Sequence, residues 1–202
     1  MTKIYCAGPL FNEAEREDMT AVAHALEAGG FDTFLPHRDG IEMRLCKERL
    51  TENGMKPEEA SKLLSLLIFC MDVYQVLEGC DALVMNLNGR VPDEGAVSES
   101  AIAWTNGKPV VAYKADPRSL MYGCDNPLVA GLFGFDYCHS LEELPNRVRV
   151  ALDKSRKQQP SDDNHVAFGR EAWKKLNSSP DISTFAAQMA ELARKHFGQD
   201  YE

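Results

Sequence analysis

Positive charge is scarce in this chain of 202 residues, where 22 lysines and arginines stand against 31 aspartates and glutamates for a formal charge of -9. That balance repels polyanions, and no stripe of lysine and arginine marks a nucleic-acid surface, so DNA and RNA are excluded as expected partners. Paired cysteine motifs are also missing. Cys6, Cys46, Cys70, Cys80, Cys124 and Cys138 are spread without a CxxC, mostly inside apolar runs where a thiol acts as a small hydrophobe. The expectation is free thiols in a reducing cytosol, with neither disulfide nor zinc. No cluster of His and Cys has ligand spacing, so no metal or cofactor is expected. No run is read as reaching the ~20 apolar residues that span a bilayer, and "MTKIYCAGPLF" lacks the long apolar core of a cleavable signal. A soluble, cytoplasmic protein without membrane contact is the expectation. Internal repeats and long low-complexity tracts are absent as well.

What the chain does contain is alternation. "KIYCAGPL" (3–10), "DTFLP" (32–36), "DALVMNL" (81–87), "KPVVAYKA" (108–115) and "FDYCHS" (135–140) read as short strands. Helical patterns separate them. Asn12 is a plausible N-cap for the first, residues 40–79 are helical twice with a break at "ENGMKP", and Asp93 to Asn106 form another before Gly107. Strands alternating with helices predict a doubly wound parallel sheet of about five strands with helices on both faces. A chain segment of about 150 residues buries enough surface for one such core. The domain is expected over 1–155, followed by a polar linker at "KSRKQQPSDDN" and one amphipathic C-terminal helix within 156–202 carrying Phe185, Met189, Leu192 and Phe197. Ligands of doubly wound sheets bind beyond the carboxyl ends of the strands, so the site is sought in the loops after Leu10, Pro36, Leu87 and Ala115.

One of those loops leads into "PDEGAVSESA" (92–101), in which residues 96, 99, 100 and 103 share a helix face as Ala, Glu, Ser and Ala. Three small neighbours clear space around Glu99, and a helix N-terminus favours its ionised form, which suits a nucleophile. The bland reading is equally available from spacing: Asp93 caps the helix and Glu99 is solvated. Asp72, alone among apolar residues in "LLIFCMDVYQVL", is open in the same way, either on an exposed stripe or in a site.

Taken together, "IYCAGPLF" at 4–11, Asp72 before "GCDALVMNLNG", and "PDEGAVSESAIAWTNGKPVV" resemble the nucleoside 2-deoxyribosyltransferase family over roughly 1–150. The glutamate follows the aspartate by six positions, as in the family pattern. Ala96 and Val97 replace the usual Thr-Ala, Ala101 stands where glycine is common, and the insert at 41–65 and the C-terminal helix exceed the smaller members. The resemblance implies a flavodoxin-like fold and exchange of 2-deoxyribose between deoxynucleosides and free nucleobases. Glu99 resembles the nucleophile that attacks C1′ to give a covalent ester with net retention and ping-pong kinetics. Tyr5 is similar to the tyrosine that holds that carboxylate, and Asp72 and Asp93 to the acids that address the base and the sugar. Gly8 and Phe11 fall in the substrate-binding first turn. Asp39 in "LPHRDG" aligns loosely with a loop that meets the base, whereas His37 beside it reads as an ordinary loop histidine. Asn126 resembles an asparagine lent across a subunit interface, which implies a homo-oligomer with shared sites; otherwise it is a turn before a helix. Two further functions fit the same residues. An N-glycosidase of deoxynucleoside 5′-monophosphates or CMP would use the same glutamate with water as acceptor, and a non-catalytic nucleotide-sensing module would bind without turnover.

Overall fold

The computed structural model describes residues 1–118, 125–155 and 164–198; Cys124 and most of the expected linker lie outside them. The chain divides into two compact units, Met1–Lys157 and Gln158–Glu202. In the first, five strands run β1 Lys3–Ala7, β2 Asp32–Phe34, β3 Ala82–Asn86, β4 Val110–Tyr113 and β5 Tyr137–Cys138. All pair in parallel in the order β2-β1-β3-β4-β5, the flavodoxin-like doubly wound order that the sequence predicts.

The strands are shorter than their apolar runs. β1 stops at Ala7 because Pro9 has no N–H to give a ladder, and Pro36 starts the short helix α2 (Pro36–Asp39) in place of extending β2. Helix α1 (Glu13–Ala28) begins at Asn12 with a reciprocal cap: Asn12 Oδ1 accepts from the Glu15 N–H at 3.0 Å, and Glu15 Oε2 accepts from the Asn12 N–H at 3.3 Å. α5 (Glu94–Thr105) starts at Asp93, whose Oδ2 accepts from the Ala96 N–H at 2.7 Å.

Strand alternation distributes the core. Ile4, Cys6, Ala82, Val84 and Val111 face Met19, Val22 and Leu26 of α1 and Leu144 and Val148 of α7 (Leu144–Ser155). Tyr5, Ala7, Leu83, Met85 and Ala112 face the other way, toward Ala96 and Ala103 of α5 and Val129 of α6 (Pro127–Leu132). The small residues of α5 therefore serve close packing: Ala96, Ser100 and Ala103 are buried, and Ser100 Oγ lies 3.4 Å from Met85 Sδ. A leucine at Ala96 would overpack this contact by about 1–3 kcal/mol.

The insert between β2 and β3 forms α3 (Met43–Glu52) and α4 (Pro57–Tyr74), and α4 ends in a π-helical turn, Gln75–Gly79. Contrary to the sequence expectation, the 23-residue segment Pro57–Gly79 holds an 18-residue stretch with a mean hydropathy of 1.5, long and apolar enough by length and composition to cross a membrane. Its first turns are amphipathic, with Glu58, Glu59 and Lys62 exposed and Ala60 and Leu64 buried.

The second unit differs from the expected single helix. α8 (Asn164–Ser178) and α9 (Ile182–Phe197) pair, with Phe168 and Phe197 ring centroids 5.2 Å apart and Glu171 contacting Lys195 and His196, each at 3.1 Å. An amphipathic helix of this length gains most of its stability from packing its apolar face, and α8 supplies that partner.

Candidate active site

The strand order reverses between β1 and β3, and the crevice there is open at the carboxyl ends of both. Gly8 follows β1 where the backbone passes closest to α1. A Cβ on it would lie 2.3 Å from Met19 Sδ and 3.1 Å from Asn86 Cβ, so a side chain there would force Met19 to move and crowd Asn86. A cavity of about 590 Å³ opens beside it, lined by Gly8, Phe11, Asp72, Asp93 and Glu99 together with groups from α2 and the insert.

Tyr5 comes from the middle of β1 and is fully buried, its ring 5.4 Å from that of Phe34. Its hydroxyl donates to Glu99 Oε1 at 2.8 Å, joining residues 94 positions apart. Burial drives the Tyr5 pKa far above its usual value, with Glu99 and Asp72 adding to the rise, so the hydroxyl keeps its proton.

Glu99 itself departs from the expectation that the helix end would keep it ionised. Its pKa is pushed up to about 8, mainly by burial; the Tyr5 hydrogen bond opposes the rise, and Asp72 and Asp93 add to it. The helix field fades within the first turn, and Glu99 lies beyond it. Glu99 is half-buried and bonded to Tyr5, which speaks against a freely solvated surface residue. Asp72, near the end of α4, is likewise raised by burial, with the Tyr5 hydroxyl pulling it back. Asp93 lines the same cavity while capping α5. Phe11 is 78% exposed at the rim, an aromatic face unspent on the core.

Two sequence candidates are not brought to the cavity. The Asp39 carboxylate receives the Leu35 N–H at 2.8 Å and two donors of Arg38, and it is absent from the lining; its turn contributes Pro36, His37 and Gly40 instead. The side chain braces α2 and, in this structure, does not line the cavity where a base contact was expected. Asn126 caps α6, its Oδ1 accepting from the Leu128 N–H at 2.9 Å, and within one chain it lies outside the cavity lining.

Sequence reasoning missed the apolar wall. Ile41, Met43, Ile68 and Met71, all from the insert, close one side of the cavity. Their signal was the helical spacing of apolar residues in a segment read only as an excess over smaller relatives. It also set His37 aside, although His37 lines the cavity with Arg16; burial, then Arg16 and Arg38, lower its pKa, so it is neutral at pH 7. Among the described residues no group of three or more His, Cys, Asp or Glu is arranged to hold a metal ion.

No curated protein sequence matches the chain. Solved structures do. A conserved protein from Enterococcus faecalis V583 superposes with a TM-score of 0.56 and 24% identity, over 74% of this chain and 98% of that one. A 2-deoxyribosyltransferase from Bacillus psychrosaccharolyticus superposes with a TM-score of 0.57 and 18% identity, over 75% of this chain and 96% of that one. At these identities the likeness is one of fold. Residues 4–166 match the nucleoside 2-deoxyribosyltransferase family, so the chain belongs to that family and is an enzyme of the deoxyribosyltransferase type, with nucleosides and nucleobases as its substrate class.

Proposed function

We propose that this enzyme exchanges 2-deoxyribose between nucleobases through a deoxyribosyl ester on Glu99, with net retention at C1′. The observation that carries this reading is the 2.8 Å contact between the buried Tyr5 hydroxyl and Glu99 in a cavity that also holds Asp72 and Asp93. A base leaves an oxocarbenium-like C1′ readily only when its ring nitrogen gains a proton, and Asp72, raised by burial, is a carboxyl that can carry one. An ionised Glu99 traps the sugar from the opposite face, and a second base displaces it. Substrates therefore meet the fraction of molecules in which Glu99 has lost its proton and Asp72 has not. Asp93 is placed to accept from a sugar hydroxyl, Phe11 to stack on a base, and Gly8 to leave room for both. Asn126 completes the site of a second subunit; exposed Leu128 and Phe135 beside it, with Leu66 and Phe69 on α4, support burial against another copy in the cytoplasm.

Intact-mass spectrometry tests the central step. Incubated with a deoxynucleoside and no acceptor, the wild type is expected to gain one deoxyribosyl group that Glu99→Gln lacks. An adduct that persists in the variant removes Glu99 from the role.

A hydrolytic reading on deoxynucleoside 5′-monophosphates or CMP has one observation in its favour: Arg16 lines the cavity, a cation for a phosphate, with the neutral His37 imidazole beside it as a hydrogen-bonding group. Parallel incubations with deoxyinosine plus adenine, and with dCMP alone, separate the two. New deoxyadenosine supports transfer; free cytosine with deoxyribose 5-phosphate supports hydrolysis, and ligand binding without either product supports a sensor.

A further inference from the structure

One buried ion pair takes no part in the chemistry above. Lys114, just past the end of β4, and Asp125, just ahead of α6, are each only 6% exposed, and Lys114 Nζ binds Asp125 Oδ1 directly. Taking two charges out of water is costly, and apolar residues of similar volume often hold a fold as well or better, so such a pair is weak evidence for stability. Its best-attested use is to fix a register.

Both backbone groups of Lys114 are bound. Its N–H donates to the Cys138 carbonyl at 2.8 Å, and its own carbonyl accepts the His139 ring N–H at 2.7 Å, which ties it to the end of β5. From that anchor the side chain joins a residue eleven positions on. Asp125 immediately precedes Asn126, the exposed N-cap of α6, whose Oδ1 accepts from the Leu128 N–H at 2.9 Å, and Val129 and Ala130 bury the helix behind it. Asn126 is thus mounted from both sides. Neither Lys114 nor Asp125 lines the cavity that holds Glu99.

We infer that the Lys114–Asp125 pair is a positioning device: it fixes where Asn126 projects from the surface, so that the carboxamide enters the site of a second copy of this chain at one set place. It rests on the role given above to Asn126 and adds two residues that act only through it. A contact misplaced by about 1 Å can cost about a hundredfold in rate, which is the scale on which a loosened mount is felt.

The test is a cycle on the full-length chain between the apolar pair Lys114→Met/Asp125→Leu and Asn126→Ser, which keeps a capping oxygen and removes the carboxamide. Consumption of deoxyinosine with adenine present supplies kcat/KM, thermal unfolding reports the fold, and size-exclusion chromatography reports assembly. The apolar pair is expected to assemble normally and to unfold no more than about 3 °C below the wild type, yet to lose about tenfold or more in kcat/KM. Made in the Asn126→Ser background, the same change is expected to cost less than about twofold, since the mount then has nothing to aim. Full activity in the apolar pair, or losses that multiply in the triple variant, makes the pair purely structural and overturns the inference. A pair variant that no longer assembles moves its role from aiming to assembly and overturns it as well. If the apolar pair does not fold, Asp125→Asn, which keeps the size and an acceptor for Lys114, takes its place in the same cycle under the same criteria. Unchanged kcat/KM in Asn126→Ser defeats the reading of Asn126 itself and the mount with it, an outcome distinct from an impaired Asn126→Ser beside a silent pair.

Discussion

Two acidic clusters sit on either side of the carboxyl end of β1 and differ in what faces the acids. On the β2 side, Arg38 Nη1 binds Glu27 at 2.8 Å and its Nε and Nη2 clasp Asp39 at 2.9 Å each. Glu27 is held below its usual range by the Thr33 hydroxyl and then Arg38. Burial pushes Asp39 up, but Arg38 and the Leu35 N–H outweigh it. On the β3 side, Glu99 accepts from the Tyr5 hydroxyl and lines one cavity with Asp72 and Asp93, and burial raises both Glu99 and Asp72. A guanidinium neutralises its carboxylates and locks a turn, whereas burial among other acids leaves Glu99 and Asp72 more inclined to hold a proton. Raised, unneutralised acids in a cavity mark chemistry more often than architecture.

The largest effect expected from breaking this contrast is at Glu99. Glu99→Gln is expected to lower deoxyribosyl exchange at least about a thousandfold, measured by chromatography of product nucleosides. The same variant reports on stability. A carboxyl whose folded pKa is raised favours the folded state fully below its unfolded value near 4.5, and that contribution is lost as pH rises toward about 8. The wild type is thus expected to lose stability relative to Glu99→Gln between those limits, by no more than about 5 kcal/mol, in thermal unfolding at stepped pH. A constant difference across that range would mean that Glu99 is ionised in the folded chain.

Asp72→Asn comes next. Loss of a general acid is expected to cost about 10²–10⁴-fold with adenine or cytosine as leaving base and far less with a nitrophenyl-type leaving group that needs no proton. Equal slowing with both donors would remove Asp72 from proton transfer.

Assembly gives an intermediate effect. Glu99→Ala and Asn126→Ala, each inactive alone, are expected to regain about a quarter of wild-type activity after subunit exchange if each site draws these residues from different chains. No recovery after verified exchange would assign Asn126 to its own chain, as the cap of α6.

The smallest effect belongs to the neutralised cluster. Arg38→Ala is expected to cost about 1 kcal/mol in denaturant unfolding, since these partly exposed pairs are screened, and to change exchange rates only severalfold. Its pH signature runs opposite to that of Glu99. Depressed carboxylates stabilise the fold above their unfolded pKa and lose that contribution as pH falls through the folded one, so the variant should flatten the acid limb of stability while leaving the limb above pH 5 unchanged.

Much of the fold was legible because strand and helix periods are local. The five strands, the Asn12 cap and the break between α3 and α4 each follow from a few neighbouring residues, and parallel winding follows from their alternation. The candidate site was legible by motif: Glu99, Asp72, Asp93, Gly8 and Phe11 do line one cavity. The partner of Asp39 was not legible because a carboxylate in a loop looks the same whether it faces a ligand or, as here, the preceding residue's guanidinium. The apolar wall was missed because apolar spacing on a helix does not say whether the buried side faces the sheet or a cavity.

The sequence by itself determined the order of strands and helices, the acidic balance and the six-residue step from Asp93 to Glu99, all of which depend on short-range pattern. Only the tertiary structure decided that Tyr5 reaches Glu99 across 94 residues and that burial pushes the Glu99 pKa up to about 8. Both depend on which elements cover the carboxyl, because the loss of water around a charge is set by the packing of strands and helices far apart in the chain.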